Sequence, residues 1–312
     1  MDRTPEEALD EADACHDDDP PRAAELLRRL DPAALAPARL PGLAFLLNHV
    51  LGEQLGAWPE AHTMFGALLR AAGEQPAPAL FRQAAAAAHL AGDEAAEARL
   101  GEALAAATGA TAGQAQQVVA LTALMYRVPM LPAADSAEAI AEALPLFTTP
   151  SWQQATPLDV AVAACANNIA SGLLDRPPAD LQQPALRRAL DDTAQLAERI
   201  WLRAGNWLNH ERAAYLRARV GNALGSAAQA REHALRGLAL LDANDADNAE
   251  PVDRAFLELE HARACRDLAL HDEARAAQDA ADALAAQFNE AGLDEWFAKR
   301  RAELGAPPPR HG

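Results

Sequence analysis

The chain has 312 residues, half of them apolar, with aromatics at only 4% and a formal net charge of −18. Such an acidic surface repels phosphate, so DNA and RNA are not expected partners, and an anionic membrane surface is disfavoured for the same reason. The three cysteines, Cys15, Cys165 and Cys265, are far apart and form no CxxC pair, so neither a zinc motif nor a disulfide framework is indicated.

Alanine, the best helix former, makes up about a quarter of the chain, while the usual strand residues are sparse. An all-α fold is expected. The N-terminal stretch is acidic and lacks the basic-then-apolar order of a signal peptide, and no apolar run reaches the roughly 20 residues of a spanning helix. A cytoplasmic location is the expectation. Thr4-Pro5-Glu6-Glu7 combines a cap residue, a proline at the first helical position and a Glu at the third. It opens a short helix pair over 5–30, within which Asp19 or a neighbour caps the second helix. Further pairs are expected near 43–72, 78–107, 113–147, 155–203, 208–242 and 251–289. Asp135-Ser136-Ala137-Glu138 and Thr156-Pro157-Leu158-Asp159 provide two more helix starts. The breaks between elements are short and rich in Gly, Pro, Asp and Asn, which favours antiparallel neighbours. A closing helix near 292–304 caps the series, residues 305–312 read as a tail, and 1–304 reads as one domain with an irregular middle at 110–205.

Around "LNHVLGEQLGAWPEAHTMFGALL" (Leu47–Leu69) the sequence repeats a known rhythm. Phe45, Asn48, His49 and Gly52 keep the spacing W-x2-L-G-x2-Y, and Ala61-x3-Phe65 follows a turn. Small residues spaced by 12 and then 7 recur at Ala84, Ala96 and Ala103, at Ala218, Ala230 and Gly237, and at Ala262, Ala274 and Ala281. The chain resembles tetratricopeptide-repeat proteins over about two-thirds of its length, most clearly at 45–105 and 212–285. The resemblance implies an α-solenoid of about six to seven helix hairpins with a concave groove.

In that family the second, fifth, ninth and twelfth positions of the first helix contact ligand. With Ala218 as the eighth position, these become Arg212, Tyr215, Arg219 and Asn222. Placing Ala262 at the eighth adds Arg263 and Arg266, and "ACANNIAS" brings Asn167 or Asn168 near the ninth. Arg forks suit carboxylates, and Asn can bridge a peptide backbone. The expected function is therefore a non-enzymatic scaffold or adaptor that holds a peptide or partner protein, acidic in character, in the groove, with homodimerisation as a further option.

Enzyme motifs are missing. No GxSxG, glycine-rich phosphate loop or HExxH is present, and no metal or other cofactor is expected. "LDDTAQLAE" has Gln195 where a DDxxD motif needs its last Asp. "DANDADNAE", Asp242–Glu250, fails the calcium-loop register at Ala246 or Ala249. "CHDDDPP", Cys15–Pro21, reads as a solvated turn, and His49, His62, His261 and His271 as packing or surface residues. The alternative function is an all-α enzyme or small-molecule sensor with a pocket in 150–215, where Trp152, Trp201 and Trp207 cluster and form an aromatic wall beside Tyr215.

Overall fold

The computed structural model describes residues 4–245, 247 and 249–305, so the expected 306–312 part of the tail, and Ala246 and Asn248 of the acidic loop, lie outside the described residues. The described chain is all-α, with fifteen α-helices and no strand. It divides into two compact units, 1–132 with 148–161, and 133–147 with 162–312.

The first unit carries α1 (Pro5–Cys15), α2 (Pro20–Arg29), α3 (Leu40–Leu46), α4 (Trp58–Ala71), α5 (Pro78–Ala91), α6 (Glu94–Thr108) and α7 (Ala112–Arg127). Thr4 and Glu7 form the expected capping box on α1, and Asp19 accepts from the Arg22 N–H at the start of α2. The core gathers Leu9, Leu27, Leu43, Leu51 and Phe65, with Met64 packed against it. Trp152 is fully buried here, and its indole N–H donates to Gln117 Oε1 at 2.6 Å.

Between α3 and α4 the helix widens into a π-helix, Leu47–Gln54, where an ordinary helix is expected from sequence. The Leu55 N–H donates to Val50 O, five residues back. Two consequences follow. Residues five apart come into register, which sets Gln54 over His49. In addition, Gly52 lies against the Trp58 ring: a Cβ there would sit 2.2 Å from the indole. Gly52→Ala is therefore expected to cost about 1–3 kcal/mol through overpacking, seen as a lowered thermal midpoint.

The second unit is built from α8 (Ala133–Ala143), α9 (Asp159–Leu174, from Val162 onward), α10 (Pro184–Ala204), α11 (Trp207–Ala223), α12 (Ala227–Asn244), α13 (Pro251–Asp267), α14 (His271–Ala285) and α15 (Ala291–Ala302). α8 begins two residues before Asp135, so Ser136 is buried inside the helix rather than at its start. Helices adjacent in sequence pack on each other, as α11 on α12 and α13 on α14 do; so do alternate helices, α5 on α7 and α11 on α13. Small residues stand at the close approaches. Ala218, Ala230 and Gly237 are all buried, and a Cβ on Gly221 would come within 3.0 Å of Ala230. α15 is mostly exposed and is pinned by Phe297, which meets Phe256 of α13 edge-on at 5.6 Å. Burying a Phe contributes about 1.5–3 kcal/mol, enough to hold so short a helix in place.

Each unit also contains a buried polar ladder of the same design. Asn48 Nδ2 donates to Gln83 O at 3.0 Å and to Gln83 Oε1 at 2.8 Å, and Tyr126 OH donates to the same Oε1 at 2.9 Å. In the second unit, Asn222 Nδ2 donates to Glu260 O at 2.9 Å and Glu260 Oε2 at 2.7 Å, and Arg300 Nη2 donates to Glu260 Oε1 at 2.7 Å. Both ladders join three helices far apart in sequence. One is neutral and the other charged.

Candidate functional site

The second unit holds a cleft of about 670 Å³. One wall is the turn after α9, through Asp175, Arg176 and Pro177. Arg219 of α11 and Arg263 of α13 form the base. Trp296, Lys299 and Arg300 of α15, with Glu303, close the other side. Five cationic side chains and two carboxylates thus line one cavity of a chain whose net charge is −18.

Each guanidinium is held by packing and by a carboxylate. Arg219 is almost fully buried, lies 5.8 Å above the Tyr215 ring, and reaches Asp175 at 3.5 Å. Arg263 donates to Glu303 Oε2 at 3.1 Å, and Arg300 to Glu303 Oε1 at 2.8 Å. Arg176 donates to Asp180 at 3.3 Å and to the Ser136 hydroxyl at 3.1 Å. The Nε atoms of Arg219, Arg263 and Arg300 are buried without an acceptor. Beneath them, burial opposes the charge of Glu260, but Arg300, Arg263 and Arg219 outweigh it and hold that carboxyl below its usual range. Burial pushes the Tyr215 phenol well up, and its hydroxyl has no partner. The cleft thus gathers positive charge, with each guanidinium held in place by a carboxylate.

Of the residues expected from sequence, Arg219 and Arg263 meet in this cleft. Asn222 and Tyr215 sit behind its wall, one in the Glu260 ladder and the other under the Arg219 guanidinium. Arg212 is engaged elsewhere, donating to Asp253 at 2.9 Å with Glu250 at 3.7 Å. Arg266 donates to the Leu304 carbonyl and pairs with Asp267, away from the cleft lining. Asn167 is half-buried and Asn168 exposed on α9; neither lines the cleft. Arg176, Trp296, Lys299 and Arg300 are functional candidates that repeat spacing misses. The signal for three of them is the only lysine in an acidic chain, flanked by Trp296 and two arginines in the closing helix.

Trp207 and Tyr215 pack against Leu238, Leu241 and Leu257 as core, and Trp152 belongs to the first unit. The acidic loop is a helix connector: Asp245 accepts from the Ala249 and Glu250 N–H groups, and Asp242 pairs with Arg254. His62 faces Asp93, and His261 lies 3.0 Å from Glu273.

No known family model matches the chain, and no curated protein matches it at a significant level. No helix among the described residues is long and apolar enough to cross a membrane.

Proposed function

We propose that the chain is a non-enzymatic scaffold or adaptor of tetratricopeptide-like helical repeats, and that the second unit takes an acidic segment or C-terminal carboxylate of a partner protein in its Arg-rich cleft. The observation that carries this reading is the convergence of five cations on one cavity of an acidic chain. Arg forks bind carboxylates bidentately, and Trp and Arg are the residues that dominate peptide and protein contacts. The packing of alternate helices and the two recurring Asn ladders support the repeat reading.

Lys299 is exposed, so its reversal probes the charge without disturbing the core. Lys299→Glu combined with Arg263→Gln is expected to weaken capture of acidic peptides ending in a free carboxylate by at least about tenfold, with binding falling as salt rises. Fluorescence anisotropy with free-acid and amidated peptides checks this; equal affinity for wild type and double variant rejects the cleft as the site. A cleft of about 670 Å³ is also within the roughly 300–1,000 Å³ of small-molecule sites, which favours a second reading as a sensor of a small carboxylate or phosphate compound.

A further inference from the structure

The first unit brings together two histidines that lie 33 positions apart. His16 follows α1, and His49 stands in the π-helix. The His16 and His49 rings meet edge-on at 5.1 Å, and Phe45 stacks on His49 at 5.2 Å. Asp17 Oδ1 lies 3.5 Å from His16 Nε2 and 3.5 Å from His49 Nε2.

The other nitrogen of each ring is already committed. His16 Nδ1 faces the Asp13 carbonyl, and a carbonyl only accepts, so Nδ1 carries the proton. His49 Nδ1 lies 2.6 Å from Glu53 Oε2, one turn on, and donates to it. In the neutral tautomers both Nε2 atoms are acceptors within 3.5 Å of the Asp17 carboxylate, and the Gln54 amide stands beside the one on His49. Among the described residues no Arg or Lys pairs with Asp17. Three acceptors facing one another form a set that a cation can satisfy. Backbone and carboxylate acceptors behind the distal ring nitrogens are the support that metal-bound imidazoles take.

The dimensions agree. In a tetrahedral zinc site, bonds of about 2.0–2.2 Å place neighbouring ligand atoms about 3.3–3.5 Å apart. The three ligand atoms here lie within 4.8 Å of one another, and two of the three separations are 3.5 Å. The side chains of His16 and His49 are 19% exposed and that of Asp17 is 76%, so the site opens to solvent on the carboxylate side. Gln54 brings its amide to 3.2 Å from His49 Nε2, and its Oε1 is buried without a partner. Turning that amide over presents an oxygen in place of the N–H. The π-helix is what places Gln54 there, five residues beyond His49.

We propose that His16 Nε2, His49 Nε2 and the Asp17 carboxylate bind a divalent transition-metal ion of the zinc class, with the remaining position taken by water or the Gln54 amide oxygen. Two imidazoles and one carboxylate favour such an ion over calcium or magnesium, which prefer all-oxygen shells. The other cluster of metal-ligating side chains, His261, Cys265 and Glu273, differs in kind: Arg231 donates Nε to Glu273 at 2.9 Å, so a cation is already in place.

Calorimetric titration of metal-free full-length protein with zinc sulfate tests the site, and cobalt serves as a spectroscopic stand-in. One ion per chain is expected, with visible cobalt bands of a four- or five-coordinate site. Asp17→Asn and His16→Gln, both in the turn after α1, should each lower affinity at least about tenfold. Glu53→Gln should lower it about 10- to 100-fold without removing a ligand. Glu273→Gln should leave it unchanged. Circular dichroism confirms that each variant is folded. No stoichiometric zinc binding to the wild type, unchanged affinity in Asp17→Asn and His16→Gln, loss of binding in Glu273→Gln, or calcium binding as tightly as zinc overturns the assignment.

Discussion

Raising the pH from about 5 to about 8.5 should destabilise the second unit, and Glu211→Gln should remove most of that loss. Glu211 is fully buried on α11, and no donor reaches either carboxyl oxygen. Burial pushes its pKa from 4.5 up to about 8, and the neighbouring charges of Asp253 and Glu250 push the same way, while Arg212 opposes them. The sign follows from proton counting. Between these two values the folded chain keeps a proton that the unfolded chain has released, so stability falls as pH rises. The contribution is fully present below about pH 4.5 and is lost by about pH 8.

At about 1.4 kcal/mol per pH unit the ceiling is about 5 kcal/mol, and sharing of the proton with Asp253 lowers it, so about 3 kcal/mol is the working value. Glutamine keeps the shape and cannot ionise. Urea midpoints of wild type and Glu211→Gln at about pH 5, 7 and 8.5 check this. Other groups titrate in the range, so the difference between the two proteins is the readout. A gap that does not widen with pH would show that Glu211 is ionised in the fold, and the assignment would fail. Glu260 works at the opposite end. Its carboxyl is held low, so its stabilising charge is present above about pH 4.5 and is lost on acidification.

Helix positions were legible because their signals are local. Thr4, Asp19, Thr111 and Asn206 each accept the backbone N–H that a cap must satisfy, and Pro or Gly marks the breaks. The cleft was half legible. Arg219 and Arg263 are reached through the register that a tetratricopeptide-like repeat would impose on α11 and α13. Arg176 comes from the Pro-rich turn after α9, and Trp296, Lys299 and Arg300 come from α15, outside the small-residue spacing seen in the sequence. Arg212 shows the limit of register reasoning: the expected register offers it to a ligand, but Asp253, 41 residues away, takes its guanidinium. His16 and His49 have no helical spacing to betray them. Only the turn after α1 and the extra residue per turn of the π-helix bring their rings together.

The charged ladder should respond to substitution in a way that the neutral one predicts. Arg300 and Glu260 are both largely buried, with side chains 12% and 4% exposed. Removing Arg300 takes away the one guanidinium bonded to Glu260 and leaves its charge only the longer-range fields of Arg263 and Arg219, so Arg300→Met is expected to cost about 3 kcal/mol, measured by chemical denaturation of the second unit's transition. The first unit shows what a neutral version looks like: Gln83 stands where Glu260 does, and Tyr126 replaces the Arg. Glu260→Gln added to Arg300→Met removes the stranded charge and keeps an amide oxygen for Asn222 Nδ2. The double variant should therefore recover to within about 1–2 kcal/mol of wild type. A double variant as unstable as Arg300→Met alone would show that the loss comes from the packing of α15 and not from the buried charge. If stability returns in the double variant while peptide capture stays weak, the ion pair is not needed for the fold. On the proposed reading it is then kept because it holds a guanidinium in the lining of the cleft.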